Sequence, residues 1–314
     1  MSYPRAITLM VFITLLWSTA GVVTRNLDSA HGFEITFWRS FFTAVVLSVF
    51  MTLSRGPGFW RSMLRPSRIV LVSGICWSFM LSAFMIALTL TTVANVLIIM
   101  ALGPLITALF ASHFLKHRLL PITWAAIVVA VLGIVWMFAF EDDASMSLFG
   151  SCVAFCIPLC GAINFTLLQY VGMNKAQVAI EAGRPAHDME QALLLGAIIS
   201  SITTLVFAWP FRASLHDLTL LAMLSVFQVT IPCILVIRLS RILPAPEITL
   251  LALLEVIFGV TWAWLWASEA LSAHTLMGGS LVIGALMTNG LARIMRDRRS
   301  VESSPAYVHQ PDKP

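Results

Sequence analysis

The sequence predicts an all-α membrane protein of ten transmembrane helices, arranged as two inverted repeats of five helices. The 314 residues are 59% hydrophobic and 11% charged, whereas a soluble chain carries roughly 25% charged residues. The apolar residues form ten continuous runs, and the basic residues gather in every second loop between them. A segment near the end of the chain also repeats the layout of a segment in the first half. These three observations predict the fold class.

Each apolar run is long enough for one helix across a bilayer, since about 20 residues at 1.5 Å rise per residue span the hydrocarbon. Only helices and closed barrels satisfy the backbone in that environment, and barrel strands are about half as long, with alternating polarity. We therefore expect helices. The ten runs cover residues 6–24, 33–53, 69–88, 91–115, 121–140, 147–170, 191–209, 218–239, 245–267 and 274–294.

The placement of Lys and Arg predicts the orientation of these helices, because basic residues favour cytoplasmic loops. With the N-terminus inside, all of the 19 basic residues lie in inside segments except Arg25, Arg39 and Arg212. The acidic residues 141–143 then fall outside. We therefore expect both termini and the loop 171–190 in the cytoplasm, and a multi-pass protein surrounded by the lipid bilayer.

The internal repeat is an ungapped alignment of residues 93–133 with residues 244–284. Both segments have a helix–turn–helix layout, and Pro104 of the first meets Glu255 of the second. The identity is low, but the agreement in layout predicts that the chain contains two related halves.

Each half of the chain, residues 6–140 and 147–294, thus holds five helices. Because five is odd, the two halves cross the membrane in opposite directions. Inverted repeats of this kind are common in secondary transporters, which bind substrate between the halves near the midplane. Residues 295–314 have little apolar content and are expected to form a disordered cytoplasmic tail.

The last two runs contain a family pattern. A Glu precedes a small residue, a Trp-rich segment follows, another Glu stands at the helix end, and two Gly open the last helix. These residues are Glu255, Gly259, Trp262, Trp264, Glu269, Gly278 and Gly279. Together with the opening segments WSTAGVVTRNL (17–27) and FWRSFFTAVVL (37–47), the pattern resembles the EamA family of the drug/metabolite transporter superfamily. Val260 replaces the family's usual Pro.

The resemblance implies a secondary transporter of the cytoplasmic (inner) membrane that works by alternating access. Its expected substrates are small metabolites such as amino acids or related amphipathic compounds, usually moved outward. Proton coupling and facilitated exchange are both left open, and so is the oligomeric state. Two alternatives remain: an exporter of drugs or other cationic compounds, and a non-transporting membrane scaffold or sensor.

Eight polar or aromatic residues inside the apolar runs are candidates for contact with the substrate. A charge at that depth costs on the order of 2.5–3.5 kcal/mol and therefore needs a partner, a proton or water. The eight candidates are Trp17, Arg39, Trp77, Asn95, Asn164, Gln228, Glu255 and Trp262.

The two charged candidates each have two interpretations. Arg39 offers a rigid fork to a substrate carboxylate, or else it snorkels to the interface or pairs with Glu34. Glu255 either binds a proton or a cation, or hydrogen-bonds backbone at a helix irregularity, since it aligns with Pro104. Glu269, at the end of the same run, is expected to be a solvated carboxylate.

The aromatic and amide candidates also have two interpretations. Trp17 and Trp77 lie in mid-run and could stack on a substrate ring or cation, but core packing is the more frequent fate. Trp262 lies seven residues after Glu255, close to the same helix face. The three amides either line a polar cavity or hydrogen-bond between helices.

No pattern predicts an enzyme, a metal site or a nucleic-acid-binding surface. The chain lacks a Gly-rich phosphate loop, a GxSxG elbow and an HExxH motif, and no basic stripe alternates with aromatics. Cys152, Cys156 and Cys160 share a helix face. Without His or carboxylate nearby, they are expected to pack as small apolar residues. We therefore expect no catalytic residue, no metal and no cofactor.

Overall fold

The computed structural model describes residues 3–115, 121–139, 148–173, 189–240, 242–243, 245–266 and 273–302. Predictions for four segments lie outside these ranges: Glu269, residues 141–143, loop residues 174–188 and tail residues 303–314. Every regular element within the ranges is helical, which confirms the all-α class for the described part of the chain. The elements are α1 (Tyr3–Trp17), α2 (Ala20–Arg25), α3 (Gly32–Arg55), α4 (Gly58–Met63), α5 (Arg68–Leu90), α6 (Val93–Met100), α7 (Gly103–Leu115), α8 (Pro121–Ala139), α9 (Leu148–Met173), α10 (Met189–Ala208), α11 (Leu215–Met223), a π-helical segment (Leu224–Thr230), α12 (Ile231–Leu239), α13 (Ala245–Trp266) and α14 (Ala273–Glu302).

Six spans within the described residues are long and apolar enough to cross a membrane. They are Arg5–Arg25, Gly32–Arg55, Arg68–Leu90, Leu148–Leu168, Met189–Ala208 and Leu215–Leu239. Shorter apolar helices cover Asn95–Phe110, Leu254–Trp266 and Leu276–Ala292. Each of the ten predicted runs falls on one or more of the described helices. The chain is therefore a multi-spanning helical membrane protein.

The structure divides three of the predicted runs and extends the last one. A turn at Ala101 and Leu102 divides the run 91–115 into α6 and α7, and the π-helical segment divides the run 218–239. The run 6–24 is not one helix, because a turn at Ser18 and Thr19 separates α1 from α2, and both hydroxyls donate to carbonyls three residues earlier. Trp17 consequently ends α1 instead of lying in mid-helix. The last helix continues to Glu302, beyond the predicted boundary at 294.

The π-helical segment separates α11 from α12 and widens the backbone at this point. Pro232 is the second residue of α12, and its ring nitrogen cannot donate to a carbonyl of the preceding turn. The hydroxyl of Thr230 donates to the carbonyl of Ser225, five residues earlier. Such wide turns are frequent at functional sites, and Gln228 lies within this one.

Glycines allow two pairs of helices to cross closely. A Cβ on Gly196 of α10 would lie 2.4 Å from the Cβ of Trp77 and 2.8 Å from the carbonyl oxygen of Gly74, both on α5. A Cβ on Gly133 of α8 would lie 2.8 Å from the carbonyl oxygen of Gly278 on α14. Small residues let membrane helices approach in this way, and the first contact holds Trp77 against α10.

Helix α3 is joined to the second half of the chain at both ends. Near its start, Glu34 Oε1 accepts hydrogen bonds from the backbone N–H of Arg212, at 2.9 Å, and of the following residue, at 2.8 Å. Near its end, Arg55 and Arg238 both contact the carboxylate of Glu190. These contacts hold the middle of α3 against the π-helical segment.

Candidate functional site

A cavity is lined by residues of α1, α3, α5, α7, α9, α13 and the π-helical segment, among others. Its volume is about 160 Å³. Most of its wall is apolar, and a mostly apolar wall with a few convergent polar groups is typical of small-molecule sites. Five of the eight predicted candidates line the cavity: Trp17, Arg39, Trp77, Gln228 and Glu255.

Arg39 is buried at 2% exposure and lines the cavity. Its Nη1 donates to Oε1 of Gln228 at 2.8 Å, and its Nη2 donates to the carbonyl oxygen of Leu81 at 2.9 Å. The guanidinium carbon lies 5.6 Å from the ring centroid of Phe84, within the range of a cation–π contact. These three contacts hold the guanidinium in one orientation.

Arg39 has no carboxylate partner among the described residues. The pair with Glu34 that the sequence suggested is not formed; the Glu34 carboxylate accepts hydrogen bonds from the backbone of Arg212 and the indole of Trp38 instead. Snorkelling does not apply, because the side chain is buried inside the helix bundle. A buried charge without a counterion is costly, so the guanidinium is suited to an anionic ligand.

The π-helical segment directs Gln228 toward Arg39. Ser225, three residues earlier, donates from its hydroxyl to the carbonyl oxygen of Arg39 at 2.8 Å. Two hydrogen bonds therefore join this segment to α3 at the cavity wall. Because Gln228 is neutral, it orients the guanidinium without cancelling its charge.

Glu255 lies on α13 at 7% exposure and lines the same cavity. Within the described part of the chain its carboxylate makes no hydrogen bond and no ion pair, so it is not paired with Arg39. Helix α13 continues past Glu255 without a break. The interpretation of Glu255 as a partner for backbone groups at a helix irregularity therefore does not apply. Pro104, which aligns with Glu255 in the internal repeat, also lines the cavity.

Trp17 and Trp77 line the cavity from α1 and α5. Trp77 is 4% exposed, and its indole N–H has no acceptor among the residues that the structure describes. Aromatic rings bury large apolar area in a defined geometry. The two side chains can therefore hold the apolar part of a ligand whose charged ends meet Arg39 and Glu255.

The other three candidates do not line the cavity and instead join helices by hydrogen bonds. The pairs are Asn95 with Ser151 at 2.8 Å, Asn164 with Ser73 at 2.5 Å and Trp262 with Ser18 at 3.0 Å. For the two amides, this is the interhelical hydrogen bonding that the sequence left open as the alternative to a cavity role.

Thr107 of α7 is a cavity residue that sequence reasoning missed. Its hydroxyl is buried and has no hydrogen-bond partner within the described ranges. Helical threonines commonly donate to a carbonyl three or four residues earlier, as Thr43 and Thr166 do here. A Thr in an apolar run does not by itself predict a cavity residue. The sequence feature that could have indicated it is the proline three residues earlier, Pro104, which lies within the same apolar run.

A second polar cluster lies away from the cavity. Asp28, His216 and Asp217 bring their ligand atoms within 4.8 Å of one another. The Asp217 carboxylate, however, accepts hydrogen bonds from the backbone N–H of Asp28, Ser29 and Ala30. We therefore interpret this cluster as a clamp between the loop before α3 and the start of α11.

A multi-spanning helical protein whose mostly apolar cavity is lined by two buried ionisable residues, Arg39 and Glu255, has the architecture of a membrane transport protein. Residues 4–139 match the EamA-like transporter family. The resemblance found in the sequence is thus confirmed over these residues, and the match supports a transporter of the drug/metabolite transporter type.

Two relatives match most of the chain. The S-adenosylmethionine uptake transporter of Rickettsia conorii is 25% identical over 278 residues, which cover 86% of this chain and 87% of the relative. The protein of the same name from Rickettsia bellii is 23% identical over 262 residues, 82% and 83% of the two chains. A solved crystal structure superposes with a TM-score of 0.63 at 18% identity, over 94% of this chain and 99% of the other. At that identity the superposition establishes a common fold.

Proposed function

We propose that this protein is a secondary transporter that moves small zwitterionic metabolites, such as amino acids or related amphipathic compounds, across the cytoplasmic (inner) membrane by alternating access. One observation carries the proposal: Arg39 and Glu255 are buried in the wall of one cavity without forming an ion pair. An amino-acid zwitterion offers a carboxylate to the guanidinium and a cation to the carboxylate. No catalytic residue, metal or cofactor has a part in this function.

S-adenosylmethionine is the first specific substrate that we propose. The two relatives from Rickettsia are named for its uptake. Its chemistry also suits the cavity, because it combines an amino-acid group, a sulfonium cation and a flat adenine ring. In this proposal Arg39 binds the carboxylate, Glu255 faces the positive charge, and Trp17 and Trp77 contact the adenine.

The proposed architecture is ten transmembrane helices in two inverted repeats, residues 6–140 and 147–294, with both termini in the cytoplasm. Two observations support the repeat. Pro104 and Glu255, which are equivalent in it, line the same cavity. Helices α8 and α14, the last of each proposed half, pack directly against each other. The transported ligand then lies between the halves, as in other inverted-repeat transporters.

Direction and coupling are further parts of the proposal. The family resemblance implies export, whereas the relatives are named for uptake. We propose outward transport coupled to protons, with Glu255 as the group that exchanges the proton, since an intramembrane carboxylate is a common proton relay.

The experiment is transport into membrane vesicles of both orientations, with and without a protonophore. The probes are labelled amino acids, S-adenosylmethionine and a quaternary ammonium compound, and vesicles from cells without the protein are the control. Saturable, protonophore-sensitive uptake of a zwitterion into inside-out vesicles supports proton-coupled export. Uptake into right-side-out vesicles would instead show that the protein imports the substrate.

The same experiment separates the alternatives. Preferred transport of the quaternary ammonium compound, which has no carboxylate, favours an exporter of drugs and other cationic compounds. The absence of saturable flux for every probe in both orientations overturns the proposal and favours a membrane scaffold or sensor.

A further inference from the structure

We infer that Arg39, Trp77 and Thr107 form a subsite for the carboxylate of the transported zwitterion, and that Trp77 and Thr107 determine specificity for that group. The inference rests on the proposed function. It assigns the substrate-binding role to a residue, Thr107, that the sequence did not indicate, and it gives Trp77 a hydrogen-bonding role besides ring contact.

Three residues that line the cavity each carry a buried donor without a hydrogen-bond partner among the described residues. In the described part of the chain, Arg39 Nε, Trp77 Nε1 and Thr107 Oγ1 are buried and lack hydrogen-bond partners, and all three residues line the cavity. They come from three different helices, α3, α5 and α7. Native proteins satisfy nearly all buried polar groups, so three such groups in one cavity indicate a ligand that completes them.

The chemistry of these atoms defines the ligand group. A guanidinium N–H and an indole N–H donate and cannot accept, and a threonine hydroxyl can donate. The complementary group must therefore offer several acceptor lone pairs, and a carboxylate offers about four sites on two oxygens. An ammonium or other pure donor would leave the guanidinium and indole N–H groups unsatisfied.

The charges on the cavity wall favour a carboxylate over a doubly charged oxyanion. Among the described lining residues, Arg39 is the basic side chain and Glu255 the acidic one. One guanidinium balances one carboxylate, whereas a phosphate dianion would add a negative charge opposite Glu255. The same Glu255 favours a ligand that carries a positive charge at its other end.

Among the described residues the hydroxyl of Thr107 has no hydrogen-bond partner, unlike the hydroxyls of Thr166 and Thr43. Thr166 of α9 donates to the carbonyl of Ala162 at 2.7 Å, and Thr43 of α3 donates to that of Arg39 at 2.8 Å. A site with free donors rejects a ligand that lacks the acceptor, because the donors stay buried and unpaired. We therefore expect the two residues to distinguish amino acids from their decarboxylated amines.

The test measures binding of matched probe pairs to the purified full-length protein by titration calorimetry. The pairs are S-adenosylmethionine with decarboxylated S-adenosylmethionine, and methionine with 3-(methylthio)propylamine. The variants are Thr107→Val, which keeps the shape and removes the hydroxyl, Thr107→Ser, which restores a hydroxyl, and Trp77→Phe, which keeps a ring and removes the N–H. Thr166→Val is the matched control, since its hydroxyl bonds within its own helix.

We expect the wild type to prefer the carboxylated member of a pair, and Thr107→Val and Trp77→Phe each to reduce that preference by about tenfold. Thr107→Ser should retain this preference, and Thr166→Val should leave it unchanged.

The subsite is overturned if the wild type binds both members of a pair with equal affinity. It is also overturned if Thr107→Val loses the same affinity for both members. If vesicles carrying the wild type transport no probe, the proposed function fails first, and the subsite fails with it. Tighter binding of inorganic phosphate or sulfate than of the carboxylates also overturns the assignment.

Discussion

The guanidinium of Arg39 donates to the side-chain oxygen of Gln228 at 2.8 Å, although the two residues are 189 positions apart. This hydrogen bond joins α3 of the first half to the π-helical segment of the second half at the cavity wall. A neutral amide orients the positive charge and leaves it uncompensated. The cavity therefore offers a fixed cation to a ligand instead of an internal ion pair.

Replacing Gln228 by Glu should weaken binding of carboxylate substrates without lowering the thermal stability of the protein. The new carboxylate would stand within hydrogen-bonding distance of Arg39 and compensate its charge. We expect the thermal stability to be kept or raised, while affinity for carboxylate substrates falls about tenfold or more. Gln228→Leu is the matched comparison, because it leaves Nη1 unpaired and should lower the free energy of unfolding by about 1–3 kcal/mol. Unchanged substrate affinity in Gln228→Glu would show that Arg39 is not the anion site.

Replacing Arg39 by Lys keeps the charge but removes the planar fork and the Nε donor. Affinity for zwitterionic substrates should fall about tenfold or more, and transport of cations without a carboxylate should change less. The measurement is the KM for both substrate classes in vesicles with matched protein levels. Arg68→Lys, at an exposed position, is the control. An equal loss for both classes together with poor expression would mean that Arg39 is structural.

Replacing Glu255 by Gln should flatten the dependence of transport on pH. If Glu255 exchanges the coupling proton, the transport rate of the wild type changes over the pH range in which this carboxylate becomes protonated. A glutamine side chain does not titrate, so the variant should lose that part of the pH dependence. The measurement is initial rate against pH across both orientations of vesicle. Asp28→Asn, at an exposed carboxylate, should keep the wild-type profile. A pH profile in Glu255→Gln that matches the wild type would remove the coupling role.

Replacing Gly196 by Ala should destabilise the protein through the α5–α10 crossing. The new Cβ would stand 2.4 Å from the Cβ of Trp77 and 2.8 Å from a backbone oxygen, so the helices must separate. Overpacking of this kind costs about 1–3 kcal/mol, and thermal unfolding in detergent measures it. Gly284→Ala is the control, since no atom lies within 4 Å of its added Cβ. Equal unfolding temperatures for the two variants would contradict the tight crossing.

The cavity residues could be predicted only in part. A polar group in an apolar run is costly against lipid, so its presence in the sequence predicts that it faces the interior, and five of the eight candidates do line the cavity. The interior also contains interfaces between helices. Asn95 and Asn164 form hydrogen bonds there with Ser151 and Ser73, from other helices, and spacing along one helix cannot tell the two environments apart.

The sequence by itself determined the helical, membrane-spanning class and the resemblance to the EamA family, because the length of apolar runs and the local order of Gly, Trp and Glu are properties of consecutive residues. Only the tertiary structure decided which polar groups share one cavity and which already have partners. Gln228 reaches Arg39 from a widened turn, and in the described part of the chain the hydroxyl of Thr107 has no partner, whereas that of Thr166 does. Burial and hydrogen bonding arise between helices that are distant in sequence, so neither can be derived from the local pattern.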